Sequence, residues 1–272
     1  MITIEEADKI ILDDGKALPA ICVPLQESYG KVLREDLLAD RDLPPFNRAT
    51  MDGIAIKFNS WERGNRIYSI EGVQKAGSPS LTLKNNDACI EVMTGAVVPG
   101  GCDCVIPVEH IKIHNGKAEL QDDFKLSPMM CIHAQGSDYP RGEKLVQSGC
   151  RLLSPQVAVA ASIGKSELLV SQTPKIAVIG TGDELVDVDR RPEPYQIRQS
   201  NAYALQSALQ LQGCEQVTLF HINDNKDELK TRLKDILENY DVLILSGGVS
   251  MGKFDYVPEA LTAVGVKVLF HK

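Results

Sequence analysis

The sequence predicts an α/β fold joined to a small β domain, and three observations carry that reading. From residue 174 onward, short apolar runs alternate with helical patterns, which is the signature of a parallel sheet with helices on both faces. Between about 53 and 137 the texture is different: short alternating runs are separated by Gly, Asn and Pro turns, as in a small β domain or barrel. Finally, two apolar runs of the last third open directly into glycine-rich loops that carry carboxylates. Ligands bind outside the carboxyl ends of such strands in open α/β sheets.

Taken in order, Thr3 to Asp13 reads as a short amphipathic helix, with Thr3 as cap and Glu6 completing a capping box. Pro24 to Leu37 reads as a second helix-like segment, interrupted at Gly30. Asp42-Leu-Pro-Pro-Phe follows, where two prolines forbid a regular helix or central strand, and it marks a hinge. The β region contains Gly53-Ile-Ala-Ile, Ile67-Tyr-Ser-Ile, Ala88-Cys-Ile-Glu-Val-Met, Cys104-Val-Ile-Pro-Val-Glu and His110-Ile-Lys-Ile-His, with Asn115-Gly116 as a hairpin turn. Residues 138–172 form an extended return with a helix from Pro155 to Ile163, started by Ser154-Pro155. Then come a strand at 175–179, a helix from Asn201 to Gln212 closed by Gly213, a strand at 217–222 and a helix at 226–239. A strand at 242–246, a helix at 257–264 and a last strand at 266–270 complete the pattern.

Bulk properties narrow the function. The 272 residues are 43% hydrophobic and 24% charged, ordinary globular values. A net charge of -8 argues against nonspecific nucleic-acid binding, which needs a basic face, but leaves room for a small anion held by backbone N–H groups. No apolar run approaches the length that spans a bilayer. The acidic start, Met-Ile-Thr-Ile-Glu-Glu-Ala-Asp, resembles no secretory or transit signal, so a cytoplasmic location is expected. Seven scattered cysteines read as reduced thiols; the Cys102/Cys104 pair lacks a second ligand pair at metal-binding spacing, and His110 and His114 lie on an alternating strand pattern.

Two loops carry candidate chemistry. Thr181-Gly182-Asp183-Glu184 follows a strand directly; its backbone can cradle a phosphate and Glu184 can hold a cation, or it is an ordinary turn with solvated acids. It is neither a Walker A loop nor a GxGxxG turn. Ser246-Gly247-Gly248-Val249-Ser250 offers N–H and O–H donors suited to an anion. Asp255 ends the same loop, where a carboxylate beside an anion site calls for a metal or a proton between them. Asp224 either caps the helix after it or faces the same pocket. Ser200-Asn201 reads as an N-cap, and Asp52-Gly53 as a commonplace turn.

Together these pieces resemble the MoeA molybdopterin molybdotransferases, a family also seen as the E domain of gephyrin. The segments are Pro44-Pro-Phe-Asn-Arg-Ala-Thr-Met-Asp-Gly-Ile-Ala, Val92-Met-Thr-Gly-Ala-Val-Val-Pro, Ile179-Gly-Thr-Gly-Asp-Glu-Leu, Ile197-Arg-Gln-Ser-Asn-Ala-Tyr, Asp241 through Tyr256, and Leu269-Phe-His-Lys, in family order along nearly the whole chain. The resemblance implies an elongated linker domain (1–43 plus 138–173, its N-terminal helix free to pack on the α/β domain), an inserted β domain (44–137) and an incomplete MogA-like α/β domain (174–272). It implies insertion of molybdate into adenylylated molybdopterin with release of AMP, assisted by Mg2+ or another divalent cation. It places Asp183, Glu184, Asp224 and Asp255 among acidic pocket residues, with Glu184 and Asp255 as metal ligands. Thr181, Gly182, Ser200, Asn201, Ser246, Gly247, Gly248 and Ser250 would bind substrate, and Lys272 matches the first of two pocket lysines. Asp52 and Thr94 would complete the pocket from the partner subunit, which implies a homodimer; a MogA-type enzyme is an implied partner.

The chain also departs from the family. Asn47-Arg-Ala-Thr50 replaces the usual residues before Met-Asp-Gly, Ile54 stands where Tyr is usual, and His133-Ala-Gln-Gly-Ser-Asp138 replaces Arg-x-x-Gly-Glu-Asp. The family's Lys-Pro-Gly-Lys-Pro loop, its second lysine and its C-terminal β domain are absent after Lys272. Weak ligand binding and slow or absent turnover are therefore expected, and an open sheet edge. The alternatives are a truncated inactive fragment, a non-catalytic scaffold, or a MogA-type molybdopterin adenylyltransferase.

Overall fold

The structure, a computed structural model, describes residues 2–121, 124–247 and 256–270. They form two compact units. One comprises residues 1–35, 148–157 and 166–272, the other residues 36–147 and 158–165.

The first unit contains a three-stranded parallel sheet. Its strands are β1 (Lys175–Thr181), β2 (Gln216–Ile222) and β3 (Val242–Ser246), in the order β2-β1-β3. Its helices are α1 (Ser200–Leu211), α2 (Lys226–Asn239) and α3 (Val257–Ala263). Because side chains alternate along a strand, β1 serves both faces. Ile176 and Val178 pack with Ala202, Leu205 and Leu209 of α1. Ala177 and Ile179 pack with Leu229, Leu233 and Ile236 of α2 and Ala260 of α3. That double burial is why β1 reads as a continuous apolar run. The same unit holds the N-terminal helix Ile4–Asp14, where Thr3 and Glu6 make the expected capping box: the Thr3 N–H donates to Glu6 Oε2 at 2.8 Å and the Glu6 N–H to Thr3 Oγ1 at 3.2 Å. Ala20–Pro24 pairs antiparallel with Glu167–Ser171.

The second unit is built on a six-stranded sheet. In spatial order its strands are Cys104–Pro107, Gly53–Ile56, Ala88–Val92, Ile67–Gln74, Lys117–Leu120 and Ile111–His114. All neighbours are antiparallel except Ile67–Gln74 with Ala88–Val92. The last two strands are joined by Asn115-Gly116, both at positive φ (49° and 72°), as a two-residue hairpin turn requires. Gly53–Ile56 is buried on both faces. Ile54 and Ile56 join the cluster of Tyr68, Cys89 and Ile106, while Ala55 packs with Ala49, Val92 and Val105. Burial pushes the Cys89, Cys102 and Cys104 thiols up to about 12, so they stay protonated. His133, which stands where the resembled family has Arg, is held from both sides: Arg48 Nη2 lies 3.1 Å from His133 Nδ1, and His133 Nε2 lies 2.8 Å from Asp138 Oδ1.

Four local expectations are corrected. Pro24 to Leu37 is not helical: only Leu25–Glu27 makes a 3-10 turn, after which Val32 and Leu33 bridge to Arg151 and Val170 and Leu37–Leu38 pairs with Lys144–Val146. Available antiparallel partners override the local helical pattern there. Residues 266–270 form no strand, since no described edge pairs with them; Val268 and Leu269 are exposed instead. The cap of α2 is Asn225, whose Oδ1 accepts from the N–H groups of Asp227 and Glu228, and not Asp224. Ser200 and Asn201 lie inside α1 and do not cap it.

Gly53 is fixed by close approach: a Cβ there would overlap the carbonyl oxygen of Ile106 on the neighbouring strand. Gly53→Ala is expected to lower unfolding stability by about 3 kcal/mol, because the two strands must part. Asn225→Ala should cost only about 1 kcal/mol, one lost helix cap. Urea denaturation followed by circular dichroism separates the two magnitudes.

Candidate functional site

The site begins where β1 runs out. Parallel registry sets Gly180 beside Ser246 of β3 and Thr181 beside Ile222 of β2. Three strand ends are thereby held level at one edge of the sheet. Gly182 then turns the chain at φ +134°, a region side chains rarely adopt, and a Cβ there would run into the Glu184 carboxylate. The turn is pinned from the neighbouring strand: His221 Nε2 lies 2.9 Å from the Gly182 carbonyl oxygen, so that nitrogen carries the proton and donates. Asp183 Oδ1 accepts from the Asp224 N–H at 3.1 Å, tying the loops after β1 and β2 together.

A short parallel ladder follows, Leu185–Val186 with Ile197–Arg198. It brings the chain back to start α1 beside the end of β1. The result is a cavity of about 160 Å³. Its floor is Gly180 and Thr181, and Glu184, Leu185, the segment Ile197 to Ala202 (Arg198 included), Ser246 and Gly247 line the rest. Asn201 Nδ2 approaches Ser246 Oγ at 3.4 Å, linking the first turn of α1 to the end of β3. Gly247 sits at φ +104°, and a Cβ on it would come 2.8 Å from the Thr181 carbonyl oxygen. The α1 N-terminus has no side-chain cap, so its first N–H groups stay open on this rim.

Of the expected residues, Thr181, Glu184, Ser200, Asn201, Ser246 and Gly247 line this one cavity. Gly182, Asp183 and Asp224 adjoin it through the turn just described. Gly248, Ser250, Asp255 and Lys272 lie outside the described residues. Among the described residues no three His, Cys, Asp or Glu side chains gather as a metal site. Of the two acids expected to hold a cation, Glu184 is described and offers hard carboxylate oxygens at the cavity wall.

Gln199 was not anticipated. It stands just before α1, where the Ser200-Asn201 pair attracted the capping reading, yet it is 92% buried with its Nε2 donating to Asp187 Oδ1 at 2.7 Å. The available signal was a polar residue wedged between an apolar ladder and a helix start.

In the β unit, Asp52 and Thr94 are joined. Asp52 Oδ1 accepts from the Thr94 hydroxyl at 2.6 Å and from its N–H at 2.7 Å. The Asp52-Gly53 segment is therefore more than a turn: it clamps the loop after Ala88–Val92 onto the loop before Gly53–Ile56.

Comparison with known proteins finds matches along most of the chain. Residues 2–164 match the MoeA N-terminal region (domain I and II), and residues 177–272 match a probable molybdopterin binding domain. The chain belongs to the MoeA family. It is 37% identical over 271 residues to a molybdopterin molybdenumtransferase of Synechocystis, matching 100% of this chain and 70% of that one. A molybdopterin molybdenumtransferase of Staphylococcus epidermidis is 33% identical over 276 residues, with 65% of its length covered. A crystal structure of a molybdopterin biosynthesis MoeA protein from Pyrococcus horikoshii superposes with a TM-score of 0.79 at 26% identity, over 97% of this chain and 66% of that one. The chain thus spans 65 to 70% of these relatives' lengths.

The Thr94 hydroxyl, and after it the Thr94 N–H, hold the Asp52 carboxyl below the usual aspartate range. A depressed folded-state pKa adds stability above the unfolded value, about 3.9, that is lost as pH falls through the lower folded value. Carboxyl NMR titration should find Asp52 below the ordinary range and Thr94→Val moving it upward. An unmoved Asp52 in that variant would contradict the clamp.

Proposed function

We propose that this MoeA-family chain binds adenylylated molybdopterin and inserts molybdate into it with release of AMP. The observation that carries the reading is the cavity at the carboxyl ends of β1 and β3, formed by two glycine-turned loops within the segment that matches a molybdopterin-binding domain. Cleavage of the phosphoanhydride leaves negative charge on the departing AMP, and that charge must be met by fixed donors. The N–H groups at the open start of α1, the Ser246 and Ser200 hydroxyls and the Gly247-Gly248-Ser250 loop supply them. Glu184, with Asp255, would hold Mg2+ or a similar divalent cation, which would supply positive charge for the phosphoanhydride cleavage. Lys272 offers a cation to molybdate, and Asp183 and Asp224 fix the loop that presents Thr181 and Gly182.

The Asp52–Thr94 clamp belongs to the same reading as the part contributed by the second copy of a homodimer. The chain then divides as a linker domain (1–43 plus 138–173), a β domain (44–137) and an α/β domain (174–272). A MogA-type enzyme would supply the adenylylated substrate. We place the protein in the cytoplasm; among the described residues no helix is long and apolar enough to cross a membrane.

The test is AMP release from adenylylated molybdopterin with and without molybdate, its product identified by mass. Molybdate-dependent release above background supports the reading, and Glu184→Gln should lower it roughly 100-fold. A correctly folded dimer that binds the substrate but releases no AMP would make this chain a binding module instead.

A further inference from the structure

Among the described residues, three buried side-chain polar atoms lack a hydrogen-bond partner: Trp61 Nε1, Thr181 Oγ1 and Gln199 Oε1. Trp61 lies in the β unit. The other two line the same 160 Å³ cavity. Thr181 is only 4% exposed and Gln199 only 8%. An unpaired buried polar atom is costly, so two at one cavity mark a place where a ligand supplies the partner.

The chemistry of that partner follows from Gln199. Its two amide ends look alike in outline, but their assignment is settled by the neighbour. Asp187 Oδ1, 2.7 Å away, is a carboxylate oxygen and can only accept, so the end facing it is the NH2. The other end is therefore a carbonyl oxygen with two free lone pairs. It lies 3.6 Å from the position a Cβ on Gly180 would take, a position that is itself 3.2 Å from Leu185 Cδ1, so the oxygen borders a narrow space beside the bare glycine of the cavity floor. Such an atom repels phosphate or molybdate oxygens and pairs with an N–H or O–H. The Thr181 hydroxyl, able to donate or accept, stands on the same floor.

We propose that Gln199 is a specificity-determining residue of this cavity, its Oε1 accepting a hydrogen bond from a neutral N–H or hydroxyl group of the bound substrate. The cavity is then two-ended. The open start of α1 and Gly247 face anionic groups, and Gln199 and Thr181 read a neutral donor. The assignment rests on the function proposed above. There the donor is the amino N–H of the pterin or a hydroxyl of the ribose.

The experiment measures dissociation constants by isothermal titration calorimetry with two pairs of probes. One pair is 6-hydroxymethylpterin and the matching lumazine, which lacks the amino group. The other is AMP and 2′,3′-dideoxy-AMP, which lacks the sugar hydroxyls. Wild type should prefer the donor-bearing member of one pair about 10-fold. Gln199→Leu should erase that preference while leaving both members of the other pair unchanged, and the pair affected identifies the donor as pterin or ribose. Should the leucine variant not fold, Gln199→Met carries the same comparison, and the preference of wild type alone already tests the claim. An Asp187→Ala control loosens the amide without removing its oxygen; it should weaken the preference and not abolish it. Equal losses for all four probes in Gln199→Leu would show a purely structural role and overturn the assignment. So would a wild type that binds probes of both pairs without preference. Binding of no probe at all by folded wild type would overturn the functional reading together with it.

Discussion

Everything at the candidate site depends on one strand, β1, being paired in parallel on both sides and packed on both faces. Pairing with β2 and β3 fixes Thr181 opposite Ile222 and Gly180 opposite Ser246. A slip of one residue would turn Ile176, Val178 and their neighbours to the wrong faces. Because α1 and α2 each bury their leucines against opposite faces of β1, no such slip is available without emptying a core. The loops after the strands inherit this rigidity. They need not be stiff in themselves, since each leaves the sheet from a position the core has already set.

The second constraint is steric and concerns where side chains are forbidden. Gly182 and Gly247 both lie at positive φ, and a Cβ on either would press on the other loop's atoms or its own: Glu184 in the first case, Thr181 in the second. Backbone approaches backbone at the end of β1, and this closeness makes the cavity small. In the β unit Gly53 plays a similar part, letting Asp52 leave a tightly paired strand directly toward Thr94.

The legibility of this structure in its sequence follows the same physics. Elements whose apolar residues face a core on a fixed period were readable: β1, β2, β3, α1, α2 and most strands of the β unit stand within a residue or two of expectation, while Ile67–Gln74 runs four residues past Ile67-Tyr-Ser-Ile and Lys117–Leu120 is signalled only by the Asn115-Gly116 turn before it. The capping box at Thr3 and the Asn115-Gly116 turn were readable because each is decided by local chemistry. Segments decided by distant partners were not. Pro24 to Leu37 has a helical look, but its Val32, Leu33 and Leu37 find strand partners more than 100 residues away. Val266 to Phe270 looks like a strand and finds none among the described residues. Of the site, the residue types at the strand ends were visible and their convergence was not. Ser200 and Asn201 had a satisfactory local explanation as caps, and only the tertiary placement of α1 against β3 shows that they serve the cavity.

Gln199 shows why such sites resist local reading. Its position is set by three separate things: the Leu185–Val186 ladder with Ile197–Arg198, the carboxylate of Asp187, and the start of α1. None of these alone requires an amide. An apolar residue there would leave no lone pairs buried, although it would forfeit the bond to Asp187. A side chain held firmly by a charged partner with its buried oxygen unpaired beside the cavity is better explained by what it meets when a ligand binds. The same holds for the Gly182 and Gly247 turns, which lose backbone entropy on folding to keep a surface bare. The apolar contacts of Leu229, Leu233 and Ile236 beneath the sheet offset those costs, so core and site are two sides of one arrangement.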